Sequence, residues 1–444
     1  MNVEIRQVKT AAEQGFADAF AGLKDRLAKP SAVAALREAA FARFEARGLP
    51  HRRVEEWKYT DLRALMREAV PLAPPPDARD RARAKDAGRF LAEAGARRIV
   101  LVNGVFMPEL SDLAGLEQGL TVGSFAERLA RGEGAALSLP GAAGALDEDM
   151  AVSLNTAFMG DGAVIAVAPG ARIERPLHVV SVVTAASPCA VFARSLVEIG
   201  DGAQITLIET HEGTADVAYQ INSVVQVAAG DKARFDHIKI VREGSRGLHV
   251  GTLMAAAGAE VAFNTFAFTI GGAVVRNQLA LALNGRNTEA CIGGASLLRG
   301  NQHADNTLVV DHAVPHCTSR EVFKSVVDDD ARSVFQGKIV VRQHAQKTDG
   351  KMAAHALLLS ESAEADAKPE LEIFADDVVC GHGATAGALD EELLFYLKAR
   401  GIPQKQAEAL MIEAFVGEAA DGVANEVVRE ALMLMASGWL AARG

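Results

Sequence analysis

From about residue 160 the chain breaks into short runs of Val, Ile, Leu and Thr that end on glycine at a nearly constant interval. The runs Val164–Pro169, Leu196–Ile199, Val225–Ala229, Leu253–Ala257 and Leu281–Asn284 close on Gly170, Gly200, Gly230, Gly258 and Gly285, in steps of 27 to 30 residues. A second short strand follows each glycine: Arg172-Ile173, Gln204–Leu207, Arg234-Phe235, Glu260–Phe263 and Glu289–Ile292. A strand, a glycine turn and a second strand recurring at such a period form one rung of a solenoid. A single rung cannot bury its inner face, and stacked rungs make a continuous core between them. Separate α/β units would need helices of about 10–15 residues between strands, and none is written between 160 and 340. The apolar residues do not recur every six, as a left-handed hexapeptide helix requires. The expectation is a mainly β chain with a parallel β-helix core over 141–386, and with Gly170, Gly200, Gly230 and Gly258 in register along one edge.

Both flanks read as helical. Residues 1–140 begin with Ala-, Leu-, Glu- and Arg-rich stretches at 11–27 and 32–47, stopped by Gly48-Leu49-Pro50. Trp57 follows in Glu55-Glu56-Trp57-Lys58-Tyr59-Thr60 and reads as an aromatic anchor that pins this segment to its neighbour. A linker with Pro71, Pro74, Pro75 and Pro76 leads to a strand at 98–104. In the tail, 387–444, Asp390 is set to cap a helix that Gly401 ends, and Pro403 opens the next. These roughly 55 residues are too few for a core of their own and must pack on the solenoid, on a partner, or on both. Read as a docking appendage, the tail is expected to be removable, so that deleting 387–444 leaves the solenoid folded.

Composition excludes several functions. A net charge of −11 with 5% aromatic residues does not suit a nucleic-acid surface. No run approaches 18 apolar residues and the N-terminus lacks a signal-peptide pattern, so a soluble, cytoplasmic protein without membrane contact is expected. The four cysteines, Cys189, Cys291, Cys317 and Cys380, are far apart and spell neither a disulfide framework nor a zinc finger. Cys189 and Cys291 read as structural. His303, His312, His316 and Cys317 form a loose group without a completing carboxylate, and Asp328-Asp329-Asp330 reads as a turn between rungs. Gly337-Lys338-Ile339 and Gly350-Lys351-Met352 both fail the phosphate-loop pattern, so this chain is not expected to bind ATP. Cys380 and His382 carry the most chemistry. On a strand, residues two apart share a face, and a thiolate beside an imidazole suits zinc, copper or an iron–sulfur species. Two ligands leave such a site incomplete.

Longer motifs give a family resemblance. Ser319-Arg320-Glu321-Val322-Phe323-Lys324, the run from Ala331 to Val341, Ala345-Gln346-Lys347-Thr348-Asp349, Leu357–Ser360, Pro369–Ile373 and Cys380–Thr385 together resemble the SufB/SufD family of iron–sulfur cluster assembly proteins. Glu55–Thr60 and Tyr396–Ile402 are similar to its N- and C-terminal signatures, so the likeness spans most of the chain. His382-Gly383-Ala384-Thr385 is more similar to the SufD branch, because the SufB branch carries a glutamate after the matching histidine. Gly350–His355 departs from the family, whose members have Gln and Asn after the Thr-Asp pair. The resemblance implies a right-handed parallel β-helix between helical ends and a scaffold rather than an enzyme. It also implies a SufB-like paralogue as partner, a SufC-like ABC ATPase on the C-terminal helices, and a transient cluster shared with the partner through His382 and Cys380; the isolated chain has homodimerisation as an alternative. Ligation by imidazole suits a cluster that must leave, since fewer thiolates hold it less tightly. Two rival readings are a structural heterodimer partner with no ligand role and a β-helix enzyme acting on polysaccharide; the strands lack the acidic ladder that the second requires.

Overall fold

The computed structural model describes residues 9–23, 30–133, 139, 146–215 and 217–443. Two long sheets face each other across a lumen. The first contains nine strands, running from Leu120–Ser124 and Ala163–Val167 through Cys189–Ile199, Tyr219–Ala229, Gly247–Ala257, Val274–Leu283, His303–His312 and Arg332–Val341 to Glu364–Ile373. The second contains ten, from the hairpin Arg97–Val102 and Val105–Phe106 through Leu177–Val183, Gln204–Gly213, Arg234–Arg242, Ala262–Thr269, Glu289–Leu298, Thr318–Val327 and Asp349–Leu358 to Val379–Gly387. From Ala163–Val167 onward successive strands of the chain alternate between faces, so each rung supplies one strand to each, and pairing within a face is parallel except at the N-terminal end. The expected parallel β-solenoid is present. Its sheets begin earlier than residue 141, because the strand anticipated at 98–104 is Arg97–Val102 and pairs directly with Leu177–Val183.

The glycine series resolves into two columns on one edge. Gly200, Gly230 and Gly258 are in register: their amides donate to the carbonyls of Val167, Ile199 and Ala229 at 2.8–2.9 Å. A Cβ on Gly230 or Gly258 would lie 2.9–3.0 Å from the backbone nitrogen of Asp201 or Asp231 in the preceding turn, so these positions need glycine for room. Gly170 is not in this row. It starts a neighbouring left-handed column with Gly202, Lys232, Glu260, Asn287, His316 and Lys347, all with φ between 57° and 71°. Left-handed geometry costs a non-glycine residue about 1–2 kcal/mol. Rung-to-rung amide bonds, such as Lys232 to the Ala259 carbonyl at 2.7 Å and Lys347 to Asp377 at 2.6 Å, offset that cost.

Inward side chains including Val227, Phe235, Phe263, Leu281, Ile292 and Ile339 fill much of the lumen. Helices then cover the outer faces. On the first face, Phe16 and Phe44 from helices Ala11–Leu23 and Ser31–Arg47 join Trp57 and Phe158 over Phe192 and Val250. Trp57 is the anchor its sequence context predicts: its indole N–H donates to Asp149 at 2.8 Å and its ring stacks 3.9 Å from the Arg276 guanidinium. On the second face, Ile412 and Val416 of helix Gln404–Ala420, with Leu432 and Trp439 of helix Glu426–Ala441, cover Ile240, Phe268, Leu297 and Val326. Asp390 caps helix Glu391–Ala399 as expected, accepting from the amides of Glu392 and Leu393, and Gly401 follows with φ 87°. The expectation that the tail can be deleted without harm needs correcting. Exposing those four solenoid side chains would cost about 6–12 kcal/mol in transfer free energy, comparable to the whole stability of a typical domain.

Candidate functional site

The strand Val379–Gly387 ends the second face and is paired on one side only. Its register sets Cys380 beside Gly350 and His382 beside Met352. Met352 is 3% exposed within the lumen core, so Cys380 and His382 share the lumen-directed side of the last rung. Among the described residues no further rung covers them: Cys380 packs half-buried against the core and His382 is exposed. Burial pushes the Cys380 thiol above its ordinary range. It is therefore not a preformed thiolate, and a metal would have to displace its proton. Among the described residues, no third His, Cys, Asp or Glu gathers with this pair as a metal-holding group. The atypical segment Gly350–His355 is the strand that supports them.

The two free edges at this end differ. The edge strand of the first face, Glu364–Ile373, carries Glu364, Asp366, Lys368, Pro369, Glu370 and Glu372, the charges and proline that discourage another strand from adding. Val379–Gly387 carries neither charge nor proline. Gly381, Gly383 and Gly387 leave open space around its backbone, and the corner beside it exposes Phe374 (59%) and Val379 (60%). This edge is unguarded.

The other sequence candidates do not assemble. His316 sits in the left-handed column as a turn residue. His312 is bound to the Ser319 hydroxyl at 2.9 Å, His303 to that of Thr60 at 2.8 Å, and the Cys317 thiol to the Gly285 carbonyl at 3.2 Å. Asp328-Asp329-Asp330 forms a turn between rungs. Cys189 is buried, with its thiol pushed up to about 11 by burial and the nearby Asp80, whereas Cys291 is exposed on the outer side of its strand.

A lumen cluster was not foreseen from the sequence. Glu209 and His211, His237 and Lys239, Glu243, and His249 are all buried in the middle rungs. Glu209 accepts from His211 at 3.1 Å and from His237 at 2.9 Å. Burial opposes its ionisation, but these hydrogen bonds hold its carboxyl well below the ordinary range. His249 lies between the Lys239 ammonium, at 3.0 Å from Nε2, and the Glu243 carboxylate, at 2.8 Å from Nδ1. The signal was available in strand parity: Ile205, Leu207, Glu209 and His211, like Phe235, His237 and Lys239, place charge at positions where a solenoid ordinarily buries apolar side chains.

The tail offers a surface of a different kind. Helix Glu391–Ala399 buries none of its residues and exposes Leu393, Phe395 (73%) and Tyr396. Beside Leu434, an open groove of about 430 Å³ is lined by Gly417, Arg429, Met433 and Ser437. No described helix is long and apolar enough to cross a membrane.

These features define a class: a two-faced parallel β-solenoid with helical domains on its outer faces and an unguarded strand at one end. Comparison with known proteins makes the class specific. Residues 182–415 match the SufBD core domain of SUF-system FeS cluster assembly, and residues 10–179 match the SufBD protein N-terminal region. The iron–sulfur cluster assembly protein SufD of Escherichia coli is 31% identical over 87% of this chain and 88% of its own length. A SufBD family iron–sulfur cluster assembly protein of Synechocystis is 32% identical over 84% of each. SufD of Bacillus subtilis is 28% identical over 65% of this chain and 66% of its own. The chain belongs to the SufBD family of iron–sulfur cluster assembly proteins and is SufD-like within it.

Proposed function

We propose that this chain is the SufD-like half of a cytoplasmic SUF scaffold. It pairs end to end with a SufB-like paralogue through the strand Val379–Gly387 and binds a SufC-like ABC ATPase on its C-terminal helices. The nascent iron–sulfur cluster is cargo, formed at the joint between the two solenoids. His382 and Cys380 supply ligands from this side, and the paralogue supplies the rest. ATP is bound by the partner ATPase and not by this chain.

The observation that carries the reading is the coincidence of the unguarded edge with the only pair of sequence-predicted ligands. A strand edge without charge or proline is a template for another chain, and an incomplete ligand set there needs a second protein. A thiol held protonated until metal arrives suits transient rather than permanent ligation. The exposed Leu393, Phe395 and Tyr396 support the ATPase contact, since aromatic side chains are typical anchors of interfaces.

Gly381 and Gly383 test the pairing. No described residue lies within 4 Å of a Cβ at either position, so Gly381→Lys with Gly383→Lys should leave the solenoid folded while guarding its edge with charge. The doubly substituted chain, co-expressed with the paralogue and the ATPase, should fold and fail to co-purify with the paralogue. Retention of a full complex would remove this edge from the interface.

A further inference from the structure

The lumen cluster lies many rungs from the end strand and plays no part in that proposal. Its geometry raises a separate question, because two buried acceptors in it have nothing to accept from. His211 donates Nε2–H to Glu209, so its other nitrogen, Nδ1, carries a lone pair. That nitrogen has no hydrogen-bond partner among the described residues, and the same holds for Glu243 Oε2. Both side chains are at least nine-tenths buried. One ligand atom from each of His211, Glu243 and His249 can be chosen so that all lie within 4.8 Å of one another. Unpartnered polar atoms in a dry interior are costly, unless a proton, a donor or a cation joins them.

We propose that His211, Glu243 and His249 form a binding site for a divalent transition metal inside the solenoid lumen. Two imidazoles and one carboxylate match ferrous iron or zinc and not calcium or magnesium, which take oxygen ligands. Glu209 has the role of an outer carboxylate. By accepting from His211 Nε2 it fixes the ring so that Nδ1 faces the site, an arrangement found around metal-bound histidines. Lys239 is the built-in competitor. Its ammonium holds His249 Nε2 at 3.0 Å, opposite the Nδ1 that faces Glu243, and balances part of the charge of Glu209 and Glu243, so a metal shared by His249 and Glu243 binds against a nearby positive charge. Gly251 makes the crowding possible, because a Cβ there would fall 2.1 Å from Lys239 Nζ and 2.5 Å from His249 Nε2. Space adjoins the cluster on its Glu209 side, though neither cavity there is lined by Glu243 or His249. Glu209 borders lumen cavities of about 50 and 20 Å³, the first also lined by His237 and Lys239 and the second by His211, against about 10–15 Å³ for one water-sized probe.

The sign of the Lys239 effect separates this proposal from a purely structural polar network. The full-length chain is expressed with cobalt in the medium and, separately, refolded with cobalt or ferrous iron under anaerobic conditions. Metal per chain is measured after gel filtration, and the d–d absorption of bound cobalt is recorded. The wild type should retain one cobalt with nitrogen and oxygen ligation. His211→Ala and the nearly isosteric Glu243→Gln should lose it, and Glu209→Gln should weaken retention by about 10–100-fold. Lys239→Met should tighten binding. Circular dichroism identifies any variant that fails to fold, and Glu243→Gln, which keeps the side-chain volume, then decides. Cys380→Ser with His382→Ala should leave this cobalt in place, so the site stands or falls apart from the end-strand reading. The proposal is overturned if neither the wild type nor Lys239→Met retains metal by either route. It is equally overturned if folded Glu243→Gln retains it unchanged, or if the metal is lost with Cys380 and His382.

Discussion

Replacing Arg276 by methionine should release the N-terminal helices from the solenoid. Arg276 lies fully buried on strand Val274–Leu283, paired with the fully buried Asp305, with Nη2 donating to the Glu56 carbonyl at 2.6 Å and its guanidinium over Trp57. Methionine keeps the aliphatic volume and removes the charge. Among the described residues Asp305 then retains hydroxyl donors, from Thr60 and from Thr307 at 2.8 Å. Leaving such a carboxylate without its cation costs about 3–5 kcal/mol, and losing a desolvated cation–π contact adds about 2 kcal/mol. The sum, about 5–7 kcal/mol, is large against the 5–15 kcal/mol typical of a folded domain. It falls on the joint that Trp57, Thr60 and Glu56 make with the first face. Denaturation of a Trp439→Phe background isolates Trp57, since the chain has only these two tryptophans. Trp57 fluorescence should then report undocking at lower denaturant than the β circular dichroism signal. Adding Asp305→Asn removes the stranded charge, so the double variant should recover about 3 kcal/mol relative to the sum of the single effects. Strictly additive losses, or an Arg276→Met chain as stable as wild type, would refute the buried-pair argument.

Three further outcomes follow from the geometry. Burial lowers the His178 pKa to about 3, so the unfolded chain binds its proton first and stability falls with pH below the unfolded value of about 6.5. Chemical denaturation should show wild type losing about 2 kcal/mol more than His178→Gln between about pH 7.5 and about pH 5, and equal losses would contradict this. Gly285→Ala puts a Cβ 2.0 Å from the Ala259 nitrogen, a backbone clash at the upper end of the roughly 1–3 kcal/mol seen for overpacking. Gly170→Ala meets no atom within 4 Å and should lose only about 1–2 kcal/mol through its left-handed φ; a thermal melt that ranked the two the other way would be contrary. Phe395→Glu with Tyr396→Ala, on a helix that buries nothing, should leave the melting curve unchanged and reduce ATPase co-purification by tenfold or more, on the order expected for losing a hot spot of about 2 kcal/mol; undiminished ATPase binding would count against that surface.

The rungs were readable because glycine is needed where one turn crosses close above another, and the chain marks Gly200, Gly230 and Gly258 for that reason. Gly170 looked like a fourth member only because a linear alignment cannot separate two columns two residues apart. The second column is mostly filled by Lys232, Glu260, Asn287, His316 and Lys347, residues whose names do not announce a left-handed turn. Trp57 was legible as an anchor, but Arg276 and Asp305 were not, since the contacts join segments more than 200 residues apart in sequence. Cys380 and His382 could be read as a same-face pair from their spacing, while the contrast between guarded and unguarded edges depends on which strands end the sheets. The lumen cluster shares its strand parity with Ile205, Leu207 and Phe235, but parity does not say which side of a strand is inward, and the closure of both faces decides that for Glu209, His211 and Lys239.

In the proposed scaffold the end strand offers cluster ligands to a partner. That role is tested most directly by anaerobic cluster reconstitution on the purified complex of this chain with its SufB-like paralogue and SufC-like ATPase, measuring iron and acid-labile sulfide per complex for wild type and His382→Ala. His382 is exposed and supports no core, so the variant should form the same complex on gel filtration and hold less iron and sulfide, with Cys380→Ser showing a smaller deficit. A His382→Ala complex that assembles clusters at the wild-type rate and level would contradict the account and leave this chain a structural partner.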